Sequence, residues 1–140
     1  LAAIRERGEV QLLDARLVCG RDHLVTAVEH AERAMREGTN VAKSLAVEFV
    51  LYASGERQIN EAIAKMGIRD DTTEFAIAMF GGDSARALET LDLTRDDTVL
   101  AASPAKLRSF GLTDEELATV PPDRQADLVL ERVALVDLLK

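Results

Sequence analysis

Residues 44–68 read SLAVEFVLYASGERQINEAIAKMGI, and this stretch constrains the fold more than any other. A long apolar run meets a Ser54-Gly55 break, then the charged knot Glu56-Arg57-Gln58, then an amphipathic segment that stops at Gly67. Two buried segments must therefore leave and re-enter a core within a few residues. Val41, Leu45, Phe49 and Tyr52 keep helical spacing, with Leu51 near the same side. The β-branched and aromatic content of residues 47–52 equally permits a strand. Helix is preferred, with Asn40 as its cap, because Glu48 then shares a polar side with Lys43 and Ser44. Ile59, Ala62, Ile63 and Met66 predict a further helix of about three turns, ended at Gly67.

The rest of the chain supplies layers for that stretch. Residues 10–19 (VQLLDARLVC) carry Leu13, Ala15, Leu17 and Cys19 at period two and read as a buried strand ended by Gly20. Asp22 can cap a helix with Leu24, Val28, Ala31 and Met35 on one stripe, closed by Gly38. Residues 74–80 (EFAIAMF) are apolar on both faces, as in a central strand. A turn at Gly81-Gly82 and a short helix with Ala87, Leu88 and Leu91 are expected next. Ser103-Pro104 marks a helix start, and Thr113 with Glu116 forms a capping box. Pro121-Pro122 ends that turn, and a last helix is expected from Asp123. Its apolar surface is wider than one core-facing stripe needs, so either a partner covers part of it or both sides are buried.

A chain of 140 residues fits one domain, 1–140, burying roughly two-thirds of its unfolded surface without disulfides or metals. The single cysteine fits a reducing compartment. No apolar run, 49–53 included, approaches the ~20 residues of a membrane span, and no secretory signal opens the sequence. Leu1 in first position leaves an earlier start open. A soluble, cytoplasmic protein is expected. The net charge of -8 is unevenly placed: residues 1–69 hold ten Lys/Arg and ten Asp/Glu, residues 70–140 seven and fifteen. A nucleic-acid surface would therefore lie in the first half, and tight non-specific duplex binding is disfavoured.

Candidate chemistry is sparse. Cys19 and His23 are spaced for a thiol–imidazole pair, but they fall in different elements, which favours a structural role. His23, His30 and Cys19 fall short of a zinc ligand set, and no metal or cofactor is expected. Gly81-Gly82-Asp83-Ser84 lacks the pattern of a phosphate loop, and Asp83 would oppose an anion. Asp70-Asp71, Asp96-Asp97 and Asp114 to Glu116 lack ion-loop spacing. Glu56-Arg57-Gln58 is held between two rigid elements. Arg57 offers a planar fork for phosphate, and Gln58 a group able to read a base edge or an amide. Lys65 and Arg69 extend a weak positive strip. Ordinary surface charge remains the alternative there.

Residues 51–68 (LYASGERQINEAIAKMGI), joined to 110–117 (FGLTDEEL) and 128–139 (LVLERVALVDLL), resemble the kinase-binding subunit of the KEOPS (EKC) complex in its archaeal form, a relative of the human PRPK-binding protein. The resemblance covers nearly the whole chain. It implies an α/β (α+β) single domain, with a mixed or antiparallel sheet packed against several helices. It also implies a non-catalytic subunit in making N6-threonylcarbamoyladenosine at position 37 of tRNA. Such a subunit binds and regulates a small atypical kinase/ATPase, meets other KEOPS subunits indirectly, and helps recruit tRNA by its 3′ end. Carried onto this chain, Arg57, Gln58, Lys65 and Arg69 are candidate RNA contacts. Leu130, Val133 and Val136 are the candidate kinase-facing surface. The alternatives are a small cysteine/histidine-dependent enzyme, or a protein-interaction module without RNA binding.

Overall fold

The apolar run resolves as a helix, and its start explains why. In the computed structural model, which describes residues 9–80 and 94–139, Ser44 accepts the Val47 N–H at 3.2 Å and caps the first turn. Asn40 has a different task, donating to the Ala42 carbonyl at 2.8 Å. Glu48 is not on a polar side. It is 0% exposed, and its carboxylate accepts the amides of Val41 and Ala42, each at 3.0 Å. The charge is buried because the preceding loop turns two otherwise orphaned N–H groups onto it.

The described elements, in chain order, are β1 (Glu9–Asp14), α1 (Arg21–Glu37), α2 (Leu45–Ser54), α3 (Ile59–Met66), β2 (Phe75–Phe80), α4 (Pro104–Phe110), α5 (Asp114–Leu117) and α6 (Asp127–Leu139). They form an α+β fold in which helices surround α2 and an antiparallel two-stranded sheet closes one side. Val10 pairs with Met79 and Leu13 with Ala76. Leu13 and Ala76 are buried on the inner face, and Phe80 meets Phe49 of α2 edge-on at 5.6 Å. Val10, Ile77 and Met79 form a small separate cluster on the outer face.

The first strand is shorter than the period-two pattern predicts. Asp14 interrupts it: its carboxylate accepts the Arg16 N–H at 3.0 Å and starts a 3-10 turn, Ala15–Leu17. Burial opposes the Asp14 charge, but donors from Arg16 and Thr72 outweigh it and hold the carboxyl below its ordinary range. The second strand is not central among the described residues, since it pairs with β1 alone. The expected turn at Gly81-Gly82 and the short helix with Ala87, Leu88 and Leu91 lie outside the described residues.

Helix ends follow local chemistry closely. Gly20, not Asp22, occupies the N-cap of α1, with Asp22 in the first turn where the helix dipole favours it. Gly38 closes α1 with φ +73°. Ala27, Ala31 and Ala34 form its buried stripe, and their small size lets α2 pack close. α3 has eight residues, about two turns rather than three. Ser103 caps α4 with Pro104 following, and the Thr113–Glu116 capping box is complete. α6 begins at Asp127, later than expected, because Pro122–Arg124 forms a 3-10 turn.

Candidate functional site

The turn between α2 and α3 is braced from three sides. Gly55 ends α2 in the left-handed region, φ +73°, with its N–H on the Tyr52 carbonyl at 3.1 Å. Ser54 Oγ donates to Leu51 O at 2.9 Å and accepts the Glu56 N–H at 3.1 Å. Lys65 of α3 reaches back and donates to Ser54 O at 2.7 Å. Its ammonium also lies 3.8 Å over the Phe110 ring of α4 and 3.7 Å from Glu56 Oε1. Burial pulls the Lys65 pKa down, against the opposing pull of Glu56. From the third side, a Cβ at Gly55 would stand 3.4 Å from Arg132 Cβ of α6 and 3.6 Å from Phe110. Arg132 is itself held by Glu116, the capping residue of α5. The three sequence stretches that carry the family resemblance therefore meet at Gly55, Phe110 and Arg132.

This bracing separates the four expected RNA contacts. Arg57 and Gln58 are exposed at the turn. The Arg57 guanidinium has no hydrogen bond or ion pair among the described residues, and Gln58 takes the N-cap position of α3 without a side-chain cap bond. Arg69 is exposed beyond the other end of α3, with one guanidinium nitrogen on Ala64 O at 2.7 Å. Lys65 points inward, its side chain 20% exposed and its ammonium engaged by Ser54, Phe110 and Glu56.

The last helix divides differently from expectation. Val133 and Val136 have no exposed surface; with Val129 they key α6 into the core, and Leu130 is half-buried. The apolar groups that α6 offers to solvent are Leu135, Leu138 and Leu139, of which Leu138 is 80% exposed. A buried stripe at i, i+4, i+7 takes the valines, and the leucines at the chain's end are left over.

Sequence reasoning missed the knot that fixes this helix end. Asp137 accepts from Tyr52 through Oδ1 and from His30 Nδ1 and Arg33 through Oδ2, at 2.8 and 3.1 Å. His30 Nδ1 also lies 2.9 Å from Arg33, but one nitrogen cannot donate to the carboxylate and accept from the guanidinium together. The carboxylate takes the proton donor, so His30 and Arg33 both donate to Asp137. Burial opposes the Asp137 charge, yet the three donors hold its carboxyl below the usual range. The i, i+3 spacing of His30 and Arg33 on one face of α1 was the available signal.

Cys19 and His23 do meet, as a core device. His23 Nδ1 accepts the Cys19 backbone N–H at 3.0 Å, and its other nitrogen donates to Ala53 O at 2.6 Å. Both ring nitrogens are thus used in joining the end of the first 3-10 turn to the end of α2. Burial pushes the His23 pKa down to about 4 and the Cys19 thiol up to about 11. Neither is poised as base or nucleophile near neutrality. Among the described residues no cluster of three or more His, Cys, Asp or Glu is placed to hold a metal, and no helix is long and apolar enough to cross a membrane.

Comparison with known proteins shows what the chain is similar to. The family described as Kinase binding protein CGI-121 matches residues 1–135. Regulatory protein Cgi121 of Methanocaldococcus jannaschii is 29% identical over 140 residues, an alignment covering 93% of this chain and 84% of that protein.

Proposed function

The chain belongs to the CGI-121 family of kinase-binding proteins, and from that premise we propose that it is a non-catalytic regulatory subunit of a cytoplasmic KEOPS-type complex. In this reading it binds the complex's atypical kinase/ATPase and helps bring tRNA to the machinery that makes N6-threonylcarbamoyladenosine at position 37. The bond-making steps belong to other subunits. The observation that carries the reading is the division of surfaces. A rigid turn presents Arg57 and Gln58 to solvent, while the end of α6 presents Leu135, Leu138 and Leu139.

Each surface suits its proposed partner. An unpaired guanidinium on a braced turn meets a phosphate without losing an internal ion pair and with little ordering cost. The exposed leucines stand beside the Asp137 knot, which holds the helix end in one geometry for an apolar groove on the kinase. The net charge of -8 keeps the isolated chain a weak RNA binder, so recruitment relies on the assembled complex. The test is reconstitution of tRNA modification with and without this chain, alongside capture of the kinase. Labelled tRNA, intact or lacking its 3′ terminal nucleotides, is titrated in parallel. Salt-sensitive binding that favours intact tRNA and falls with Arg57→Ala is expected. Equal binding of both RNAs sinks the 3′-end role, and undiminished modification without the chain sinks the regulatory one.

A further inference from the structure

We infer that Lys65 is a positioning residue: an internal post that sets the Ser54–Gln58 turn so that Arg57 can meet an RNA phosphate, rather than a phosphate contact of its own. The inference rests on the reading of this turn as the RNA-facing site. Its basis is geometric. Three groups from three elements converge on one ammonium: the Ser54 carbonyl at the end of α2, the Phe110 ring of α4, and Glu56 within the turn. The Ser54 carbonyl is one of the acceptors that a helix C-terminus leaves without an intrahelical partner, and the helix dipole makes it a favourable place for a cation. Lys65 therefore supplies to α2 the cap that its own sequence lacks beyond Gly55.

The consequence passes to Arg57 along a short path. Ser54 O is fixed by Lys65, Ser54 Oγ holds the Glu56 amide, and Glu56 Oε1 faces the same ammonium. Arg57 follows directly, with Gln58 opening α3. Without the ammonium, Ser54 O has lost its donor, Glu56 its counter-charge, and the Phe110 ring its cation. The turn then samples other geometries, and Arg57 is presented in only a fraction of molecules.

The experiment measures binding of labelled tRNA across a salt series for wild type, Lys65→Met, Arg57→Gln and the double variant. Amide exchange at Glu56 and Arg57 is followed in the RNA-free protein. A direct phosphate contact contributes to the log-log salt slope, about 0.7 to 0.9 per contact, so Arg57→Gln lowers the slope by roughly that amount. Lys65→Met is expected to leave the slope unchanged while weakening binding roughly tenfold or more, the lower end of the scale of one lost charge-assisted hydrogen bond. That loss should nearly vanish in the Arg57→Gln background, whereas general destabilisation would make the two losses add. Exchange at Glu56 should quicken severalfold. A slope that falls in Lys65→Met, additive losses, or unaltered exchange overturns the inference. Should wild type bind no tRNA, the RNA reading of the turn falls, and the exchange measurement still decides whether Lys65 is the post. Lys65→Gln, which keeps a polar tip, gives the same readouts if the methionine variant does not fold.

Discussion

Tyr52, near the end of α2, donates its phenolic hydrogen to Oδ1 of Asp137 near the end of α6. With His30 and Arg33 on Oδ2, this bond ties α1, α2 and α6 at a single carboxylate. Burial and the neighbouring Asp137 charge both keep the Tyr52 phenol protonated well beyond its usual range. Tyr52→Phe keeps the ring packing and removes the donor. A hydrogen bond to a charged acceptor contributes about 1.5–3 kcal/mol, so urea unfolding should show a loss of that order. Unchanged stability would mean that His30 and Arg33 hold Asp137 without the phenol.

The acid side of the stability curve should fall in two windows. His23 is neutral in the core, with its pKa lowered from 6.5 to about 4. The unfolded chain therefore binds a proton that the folded chain refuses between those values. Stability is full above pH 6.5 and declines as pH falls toward 4, by about 3 kcal/mol in all. Asp14 and Asp137 have lowered folded values, so their contribution is present above the ordinary carboxylate value, near 4, and is lost only as pH falls below it. His23→Gln lowers stability throughout but should flatten the upper window alone. Urea midpoints from pH 7.5 to 3 in both proteins test this, and an equal upper slope would remove His23 as its source.

Gly67 offers a sharper test of local packing than the glycines at positive φ. Its φ of -67° suits any residue. Yet a Cβ there would lie 2.5 Å from the Ile63 carbonyl oxygen, a backbone atom that already accepts the Gly67 N–H at 2.7 Å. Gly38 has φ +73° but open space around its missing Cβ. Gly38→Ala should cost about 1 kcal/mol through backbone strain alone. Gly67→Ala should cost roughly 1–3 kcal/mol through displacement of the last turn of α3. If the Gly67 variant unfolds at the wild-type urea concentration, the crowding at Ile63 relaxes freely.

Many features decided within four residues were legible in the sequence, and those decided across the fold were not. Ser103-Pro104, the Thr113–Glu116 box, Gly38 and Gly67 each act on their own turn. The helical reading of residues 45–54 was right, although the argument from Glu48 was not. That carboxylate is buried because the amides of Val41 and Ala42 turn back toward it, which no periodicity reveals. Asp14 did carry a warning: an acid inside an apolar alternation is where β1 stops and a capped turn begins. Arg57 and Gln58 were placed correctly at a surface turn because Ser54-Gly55 forces the chain out of the core. Lys65 was grouped with them as a weaker contact, and only the fold shows Ser54, Glu56 and Phe110 of α4 holding it inward.

The apolar excess of α6 shows the same limit and yields the last test. Val133 and Val136 were as good candidates for a partner surface as Leu138 until the layers beneath α6 were known. Their roles now separate experimentally. Val133→Ala removes two methyl groups from a fully buried site and should destabilise the fold by roughly 1–3 kcal/mol. The variant that remains folded should still bind the kinase normally. Leu138→Glu places a charge on a side chain that is already 80% exposed, so urea unfolding should change by less than about 0.5 kcal/mol. Burying that charge against an apolar groove is costly, and kinase affinity should drop about tenfold or more in a titration at fixed salt. Wild-type affinity for Leu138→Glu would place the kinase elsewhere on the chain, whereas weakened binding by folded Val133→Ala would mean that α6 must rearrange to expose its inner face.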